Sequence, residues 1–208
     1  MTPRTEHAKE NLCKVLFKIG ALRFGTFKLT SGKMSPYYID LRVVPSFPDA
    51  FEQVCNFYLE MVREHVGTNS FTRIAGIPIS GLPFAAVVAR ELRKPLLFPR
   101  DVQKGHGRER RVEGVLNPGD TVLIIDDLVT SAKSIMKAVE SIRMEGGVVN
   151  DAVVLIDREE GGKERLGESG IRLHYLLKAS EAANTLHQVG AITDSELTTI
   201  LKQSKRKG

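Results

Sequence analysis

A chain of 208 residues, 42% hydrophobic and 26% charged, has the composition of an ordinary globular protein, long enough for one α/β domain with a sizeable core and a small appendage. No apolar run approaches the ~20 residues of a membrane span, the first residues do not look like a signal peptide, and the two cysteines, Cys13 and Cys55, fall on apolar positions of helical patterns, as core thiols rather than a disulfide or metal pair. A cytoplasmic protein is expected, and the net charge of +5 favours anionic ligands, with part of the excess in the basic tail 202–207 (KQSKRK).

Taken in order, Arg4 to Ile19 places Ala8, Leu12, Val15, Leu16 and Ile19 at helical spacing, which predicts an amphipathic first helix. Gly25 to Asp40 (GTFKLTSGKMSPYYID) alternates around a Ser-Gly turn and predicts two short strands forming a hairpin-like cap. Tyr37 and Tyr38 are adjacent on the second strand and point to opposite faces, so one can pack inward while the other reaches a ligand. A hairpin with aromatic packing and no ligand accounts for them equally. Pro48 to Val66 reads as a second helix, with Phe51, Val54, Cys55, Tyr58, Leu59, Val62 and Val66 on one stripe.

Arg73 to Pro78 is a short strand that breaks into Ile79-Ser80-Gly81-Leu82-Pro83, and Phe84 to Leu92 starts a helix rich in Ala and Val. Pro95 to Phe98 supplies a further strand. Arg100 to Arg111 (RDVQKGHGRERR) has no apolar face, two glycines, one histidine and five Arg or Lys against Asp101 and Glu109. Such a segment cannot hold itself rigid by burial, and reads as a mobile surface loop, either a lid over an anionic substrate or simply solvated chain.

Val122 to Ser134 (VLIIDDLVTSAKS) is the stretch around which the rest is organised. Four apolar residues run into Asp126 and Asp127, a small-residue turn follows at Thr130-Ser131-Ala132, and a helical pattern begins near Ser134. A continuous apolar run before a turn and helix is a buried parallel strand, and the loop after it lies at the carboxyl edge of the sheet, where open α/β folds bind ligands. Helix N–H groups suit a phosphate, and neighbouring carboxylates suit sugar hydroxyls or a hydrated divalent cation. An acidic pair that merely caps a helix is the alternative. Asp151 to Ile156 is another buried strand ending in the charged run 157–162 (DREEGG), Gly170 to Leu177 a last one, and amphipathic helices follow near Ser180 to Val189 and Asp194 to Leu201. Strand and helix in alternation predict a mainly parallel sheet covered on both faces.

LIIDDLVTSAKS resembles the phosphoribosyl-diphosphate motif of type I phosphoribosyltransferases. Four further segments, FKLTSGKMSPYYIDLR, GIPISGLPFA, the RDVQKGHG loop with the following VEG, and VVLIDREEGG, resemble orotate phosphoribosyltransferases in that family's order and spacing. The resemblance covers nearly the whole chain and implies an α/β type I phosphoribosyltransferase fold. It would comprise an N-terminal hood over 1–45, a core over 46–178 carrying a lid at 100–113, and C-terminal helices with a basic tail over 179–208. It implies transfer of ribose 5-phosphate from phosphoribosyl diphosphate to orotate with Mg²⁺, giving orotidine 5′-monophosphate and pyrophosphate in pyrimidine synthesis. The implied assembly is a homodimer whose lid reaches the partner's site, with no nucleic acid and no membrane involved.

By the same resemblance Tyr37, Tyr38, Lys28, Thr130 and Arg158 face orotate, and Asp126 and Asp127 hold the ribose hydroxyls, with no direct protein ligand to the Mg²⁺ that accompanies phosphoribosyl diphosphate and water as the route by which these acids could reach it. Leu128, Val129, Thr130, Ser131, Ala132, Lys133 and Ser134 form the 5′-phosphate loop, and Ser80 and Gly81 lie at the pyrophosphate. Arg100, Lys104 and His106 are the lid groups that neutralise or protonate the leaving group. Three positions depart from the family pattern and bear on efficiency rather than on fold: Asp101 where Lys often follows the lid Arg, Ala132 where the phosphate loop normally has Gly, and Thr30 where Lys is common, with Lys28 two residues earlier on the same strand face. No segment resembles the Asp-x-Lys-x-x-Asp pattern of orotidylate decarboxylase, so a fused UMP synthase is not expected. A phosphoribosyltransferase for another base and a non-catalytic sensor of phosphoribosyl diphosphate are the alternatives, though no DNA-reading helix-turn-helix is evident.

Overall fold

In a computed structural model, residues 3–28, 32, 34–100 and 111–205 are described, apart from the side chains of 3–7, 28 and 203–205. After helix α1 (Pro3–Lys18), strands β1 (Leu22–Lys28) and β2 (Met34–Ile39) pair antiparallel as a separate two-stranded sheet, from Leu22 opposite Ile39 to Lys28 opposite Met34. The remaining strands are β3 (Arg73–Gly76), β4 (Leu96–Pro99), β5 (Val112–Glu113), β6 (Thr121–Val129), β7 (Val148–Asp157) and β8 (Arg172–Lys178). They form one sheet in the order β5-β4-β3-β6-β7-β8, parallel throughout except for β5, which returns antiparallel to β4.

The uninterrupted apolar runs of β6 and β7 occupy the middle of this sheet, where both faces are covered. Leu123, Ile125, Val153 and Leu155 pack with α1, α2 (Pro48–Met61), α3 (Leu82–Leu92) and α6 (Ala179–Gln188) on one face. Ile124, Ala152 and Val154 pack with α4 (Lys133–Met144) and α5 (Gly162–Glu168) on the other. A final helix, α7 (Asp194–Lys205), lies against α6 and β2. This is the mainly parallel, two-sided α/β architecture that the alternating pattern predicts.

Several elements differ from the periodicity. The second helix is α-helical only to Met61; Val62–Val66 continues as a π-type turn that Gly67 ends at φ +85°. A 3₁₀ turn over Leu41–Ser46 follows β2, and β6 runs past its apolar segment to Val129, so Asp126 stands inside the sheet opposite Val154. The loop expected over 100–113 gives way to sheet at Val112–Glu113, and Arg100 N–H donates to Arg111 C=O at 2.8 Å across its base. Cys13 and Cys55 are buried, and desolvation pushes both thiols up to about 12. Among the described residues no helix is long and apolar enough to cross a membrane.

Candidate functional site

With β4 on one side of β3 and β6 on the other, the direction of winding reverses between β3 and β6, and a crevice opens beyond their carboxyl ends. Local geometry draws three loops into it. Ile77 N–H donates to Ile125 C=O at 3.0 Å, extending the β3–β6 ladder one residue, and Gly81 N–H then donates to Ile77 C=O at 3.0 Å to close the turn into α3. A Cβ on Gly81 would stand 2.7 Å from both Asp126 Cα and Ile125 O, so a hydrogen at this position is what admits the start of α3 beside the acids. On the other flank Arg158 N–H donates to Val129 C=O at 3.0 Å, and Gly162 opens α5 where any Cβ would overlap Thr130 O and Val129 Cγ2.

The result is an open cleft of about 280 Å³ lined by Ile39, Asp40, Arg42, Ile77, Pro78, Ser80, Asp126, Asp127, Leu128, Thr130 and Ser134. Six residues singled out from the sequence meet here: Ser80, Asp126, Asp127, Leu128, Thr130 and Ser134. Arg100 does not line it. It follows β4, pairs with Glu113 at 3.2 Å, and lines a smaller hollow of about 140 Å³ with Ile77, Pro78, Pro99, Ser134, Lys137 and Ala138. Lys28 ends β1, and Lys104 and His106, with Asp101 and Thr30, lie outside the described residues.

Both cleft acids are buried, which fixes their electrostatics. Asp126 accepts from Asp127 N–H at 2.9 Å, and Asp127 accepts from Leu128 N–H at 2.8 Å. Desolvation drives the Asp126 carboxyl well above the usual carboxylate range, with the neighbouring Asp127 charge adding to it. Asp127 is also raised by burial, and the Ser80 hydroxyl and Leu128 N–H offset part of that. Burial therefore makes the ionised form of either acid costly in the cleft. A raised folded-state pKa stabilises the fold fully below the unfolded value near ~4 and loses that contribution as pH climbs through the folded value. Asp126→Asn is accordingly expected to raise the stability of the ligand-free protein at pH 7 by on the order of 1 kcal/mol, with the gain vanishing towards pH 4 in thermal melts.

From the far side of the sheet Tyr58, fully buried and stacked on Phe84 at 5.4 Å, donates its hydroxyl to Asp126 C=O at 2.7 Å. In the sequence Tyr58 reads only as part of a helical stripe.

After β6 the turn Thr130-Ser131 leads into Ala132, which has φ +57° and ψ +19° and precedes α4 without a side-chain cap. Lys133 opens the helix and the first turn holds no acid. A cation at an uncapped helix N-terminus is unfavourable by itself and suits N–H groups that take an anion. Ala132 occupies the left-handed region that glycine enters without cost, yet its methyl is buried against the α4 side of the core. Relief of that backbone strain and loss of the methyl oppose each other. Ala132→Gly is thus expected to change unfolding free energy by under ~1 kcal/mol in urea denaturation.

The hairpin side brings a different pair together. Tyr37 is only 4% exposed, and the Arg158 guanidinium carbon lies 5.1 Å from its ring centroid. Tyr38 points the other way, 5.8 Å from the Phe27 ring and under Arg23. Arg158 Nη2 lies 3.0 Å from Glu160 Oε1, but Arg158 Nε and Nη2 are buried without a hydrogen-bond partner among the described residues. Buried guanidinium N–H groups of this kind suit a carboxylate or carbonyl ligand. Asp40, Arg42 and Glu160 were not singled out from the sequence; Asp40 and Arg42 directly follow the tyrosine strand, which is the signal that points to them.

Residues 48–168 match the family model described as phosphoribosyl transferase domain. The chain is 46% identical over 177 residues to an orotate phosphoribosyltransferase of Cenarchaeum symbiosum, covering 85% of this chain and 88% of that protein. A crystal structure of orotate phosphoribosyltransferase from Aeropyrum pernix superposes with a TM-score of 0.76 at 36% identity, covering 88% of this chain and 99% of that one. The structure of Leishmania donovani UMP synthase superposes with a TM-score of 0.85 at 33% identity over 97% of this chain, which spans 43% of that longer protein.

Proposed function

Because the chain belongs to the orotate phosphoribosyltransferase family, we propose that it transfers ribose 5-phosphate from phosphoribosyl diphosphate to orotate, releasing pyrophosphate and orotidine 5′-monophosphate in pyrimidine biosynthesis. The observation that carries this reading is the edge of β6, where two buried carboxylates run through one short turn into an uncapped helix N-terminus inside the cleft. The N–H groups of 130–134 take the 5′-phosphate, Asp126 and Asp127 take the ribose hydroxyls, and Ser80 and Gly81 meet the pyrophosphate. Arg158, packed on Tyr37, pairs with the orotate carboxylate or a ring carbonyl, and Tyr38, Thr130 and Lys28 are the further orotate contacts on this reading.

Departure of pyrophosphate leaves positive charge on the ribose and negative charge on the leaving group. The protein's task is therefore alignment and neutralisation rather than covalent chemistry. Arg100 and Lys104 stabilise the leaving group, and His106 hydrogen-bonds or protonates it. The donor set suits Mg²⁺ that keeps its waters and arrives with the substrate: among the described residues no group of three or more His, Cys, Asp or Glu could cage a metal, and Mg²⁺ is commonly held by one or two carboxylates and substrate phosphates. Asp126 and Asp127 would hold it through water, where it supplies positive charge to the diphosphate. The working unit on this reading is a cytoplasmic homodimer with each lid acting in the partner's site.

Incubating the purified protein with orotate, phosphoribosyl diphosphate and Mg²⁺, and following the loss of orotate absorbance, tests the assignment. Turnover is expected. No turnover with intact phosphoribosyl diphosphate binding would make the chain a sensor, and turnover only with another base would reassign the substrate.

A further inference from the structure

Among the described residues lining the cleft, Arg42 is the one base, with three acids, Asp40, Asp126 and Asp127. A polyanionic substrate entering a site so lined needs positive charge on its wall. Arg42 is 61% exposed along its side chain, but its orientation is fixed from one edge. Nε donates to Asp40 Oδ1 at 2.7 Å and Nη2 to Asp40 Oδ2 at 2.8 Å, and Nη2 also approaches the Tyr38 hydroxyl at 3.3 Å. The backbone reinforces this, since Arg42 N–H donates to Asp40 Oδ1 at 3.2 Å as the cap of the 3₁₀ turn. All the side-chain contacts use the Nε–Nη2 side of the guanidinium. Nη1 has no hydrogen-bond partner among the described residues. A side-on carboxylate leaves the end of the guanidinium fork aimed outward, which is the geometry that recognises phosphate.

We propose that Arg42 is a binding residue for the diphosphate end of phosphoribosyl diphosphate, with Asp40 and Tyr38 as the positioning residues that aim it; this rests on the chain's being a phosphoribosyltransferase. The location selects the diphosphate over the 5′-phosphate. The helix terminus that takes the 5′-phosphate lies beyond Thr130, whereas Arg42 lines the cleft together with Ser80, which sits in the turn between β3 and α3. Arg42 thus follows the tyrosine strand β2 and shares the cleft with the Ser80 turn. A purely structural role would make Asp40 a turn cap and Arg42 its surface counter-ion, and substitution would then leave substrate parameters untouched.

Steady-state kinetics of Arg42→Ala, Arg42→Lys and Asp40→Asn decide between these, with Arg90→Ala, an exposed arginine on α3 paired with Glu91, as the charge control. Arg42→Ala is expected to raise KM for phosphoribosyl diphosphate about tenfold or more, to leave KM for orotate within about twofold, and to keep the melting temperature near that of wild type. Asp40→Asn retains a capping oxygen and loses the charge that aims Arg42, so it should reproduce part of the KM effect, and Arg42→Lys should restore only part of the loss. An unchanged KM for phosphoribosyl diphosphate, or an equal rise in both KM values, overturns the proposal. Should wild type not turn over orotate, the functional reading fails separately, and calorimetric titration with magnesium pyrophosphate still reads Arg42: weaker binding by Arg42→Ala than by Arg90→Ala supports the assignment, and equal binding overturns it.

Discussion

Lys104→Ala is expected to lower kcat about 10²–10³-fold while the melting temperature stays within ~2 °C of wild type. The physical basis is the composition of 100–111, in which five basic residues and no apolar face leave Lys104 nothing to bury and a great deal of charge to offer. Pyrophosphate takes on a further negative charge as the bond to ribose breaks, so a cation aimed at that oxygen acts on the transition state more than on bound substrate. The loss should accordingly fall on kcat rather than on either KM. If turnover and stability fell together, the lid assignment would be wrong. A mixing experiment adds the assembly to the test. Where lids act across a homodimer, Lys104→Ala and Asp126→Asn subunits exchanged at equal ratio rebuild one intact site per mixed dimer, and about a quarter of wild-type activity returns. No recovery on mixing would place each lid over its own site.

Gly81→Ala is the second large effect, an expected ~10²-fold fall in kcat with about 1–3 kcal/mol of lost stability. The added methyl meets backbone, Asp126 Cα and Ile125 O at 2.7 Å, and side chain, Asp126 Oδ1 at 2.9 Å. Neither β6, paired on both sides, nor its carbonyl can move cheaply, so the turn at Ser80 must retreat from the acids. A shift of ~1 Å between groups that must align on one substrate is enough for a loss of this size. Gly167→Ala is the matching control: nothing lies within 4 Å of its added methyl inside α5, and alanine there should be neutral to stabilising by ~0.5–1 kcal/mol. Circular dichroism melts and steady-state kinetics on the pair separate a local clash from a general intolerance of glycine replacement.

The parts of the fold legible in the sequence are those that obey a single period. The apolar runs of β6 and β7 and the strand, turn and helix at 73–92 declare themselves because burial on both faces demands continuous Val, Ile and Leu. Helix α5 was not legible: seven residues, GKERLGE, with Leu166 the one fully buried side chain among them, are too short and too polar for periodicity to register. The two-residue strand β5 borrows its existence from β4, so nothing local to Val112 and Glu113 announces it. For the site, chemical type was readable and mutual position was not. Asp126, Asp127 and Arg158 stand out as charges at the ends of apolar strands. By contrast, Asp40 and Arg42 enter the cleft only because a hairpin lying 86 residues or more before Asp126 folds back over the sheet edge. The inward turn of Tyr37 is set by the register of β2, which alternation predicts as a choice of two without saying which.

Burial of both native thiols has a practical consequence. With Cys13 and Cys55 sealed in the core and held protonated at neutral pH, alkylating dyes have no native target in the folded chain. A cysteine introduced at Ile79, 83% exposed between the cleft-lining Pro78 and Ser80, would be the sole labelled position. A single fluorophore there would report ligand occupancy of the cleft in real time, without a cysteine-free background having to be built first.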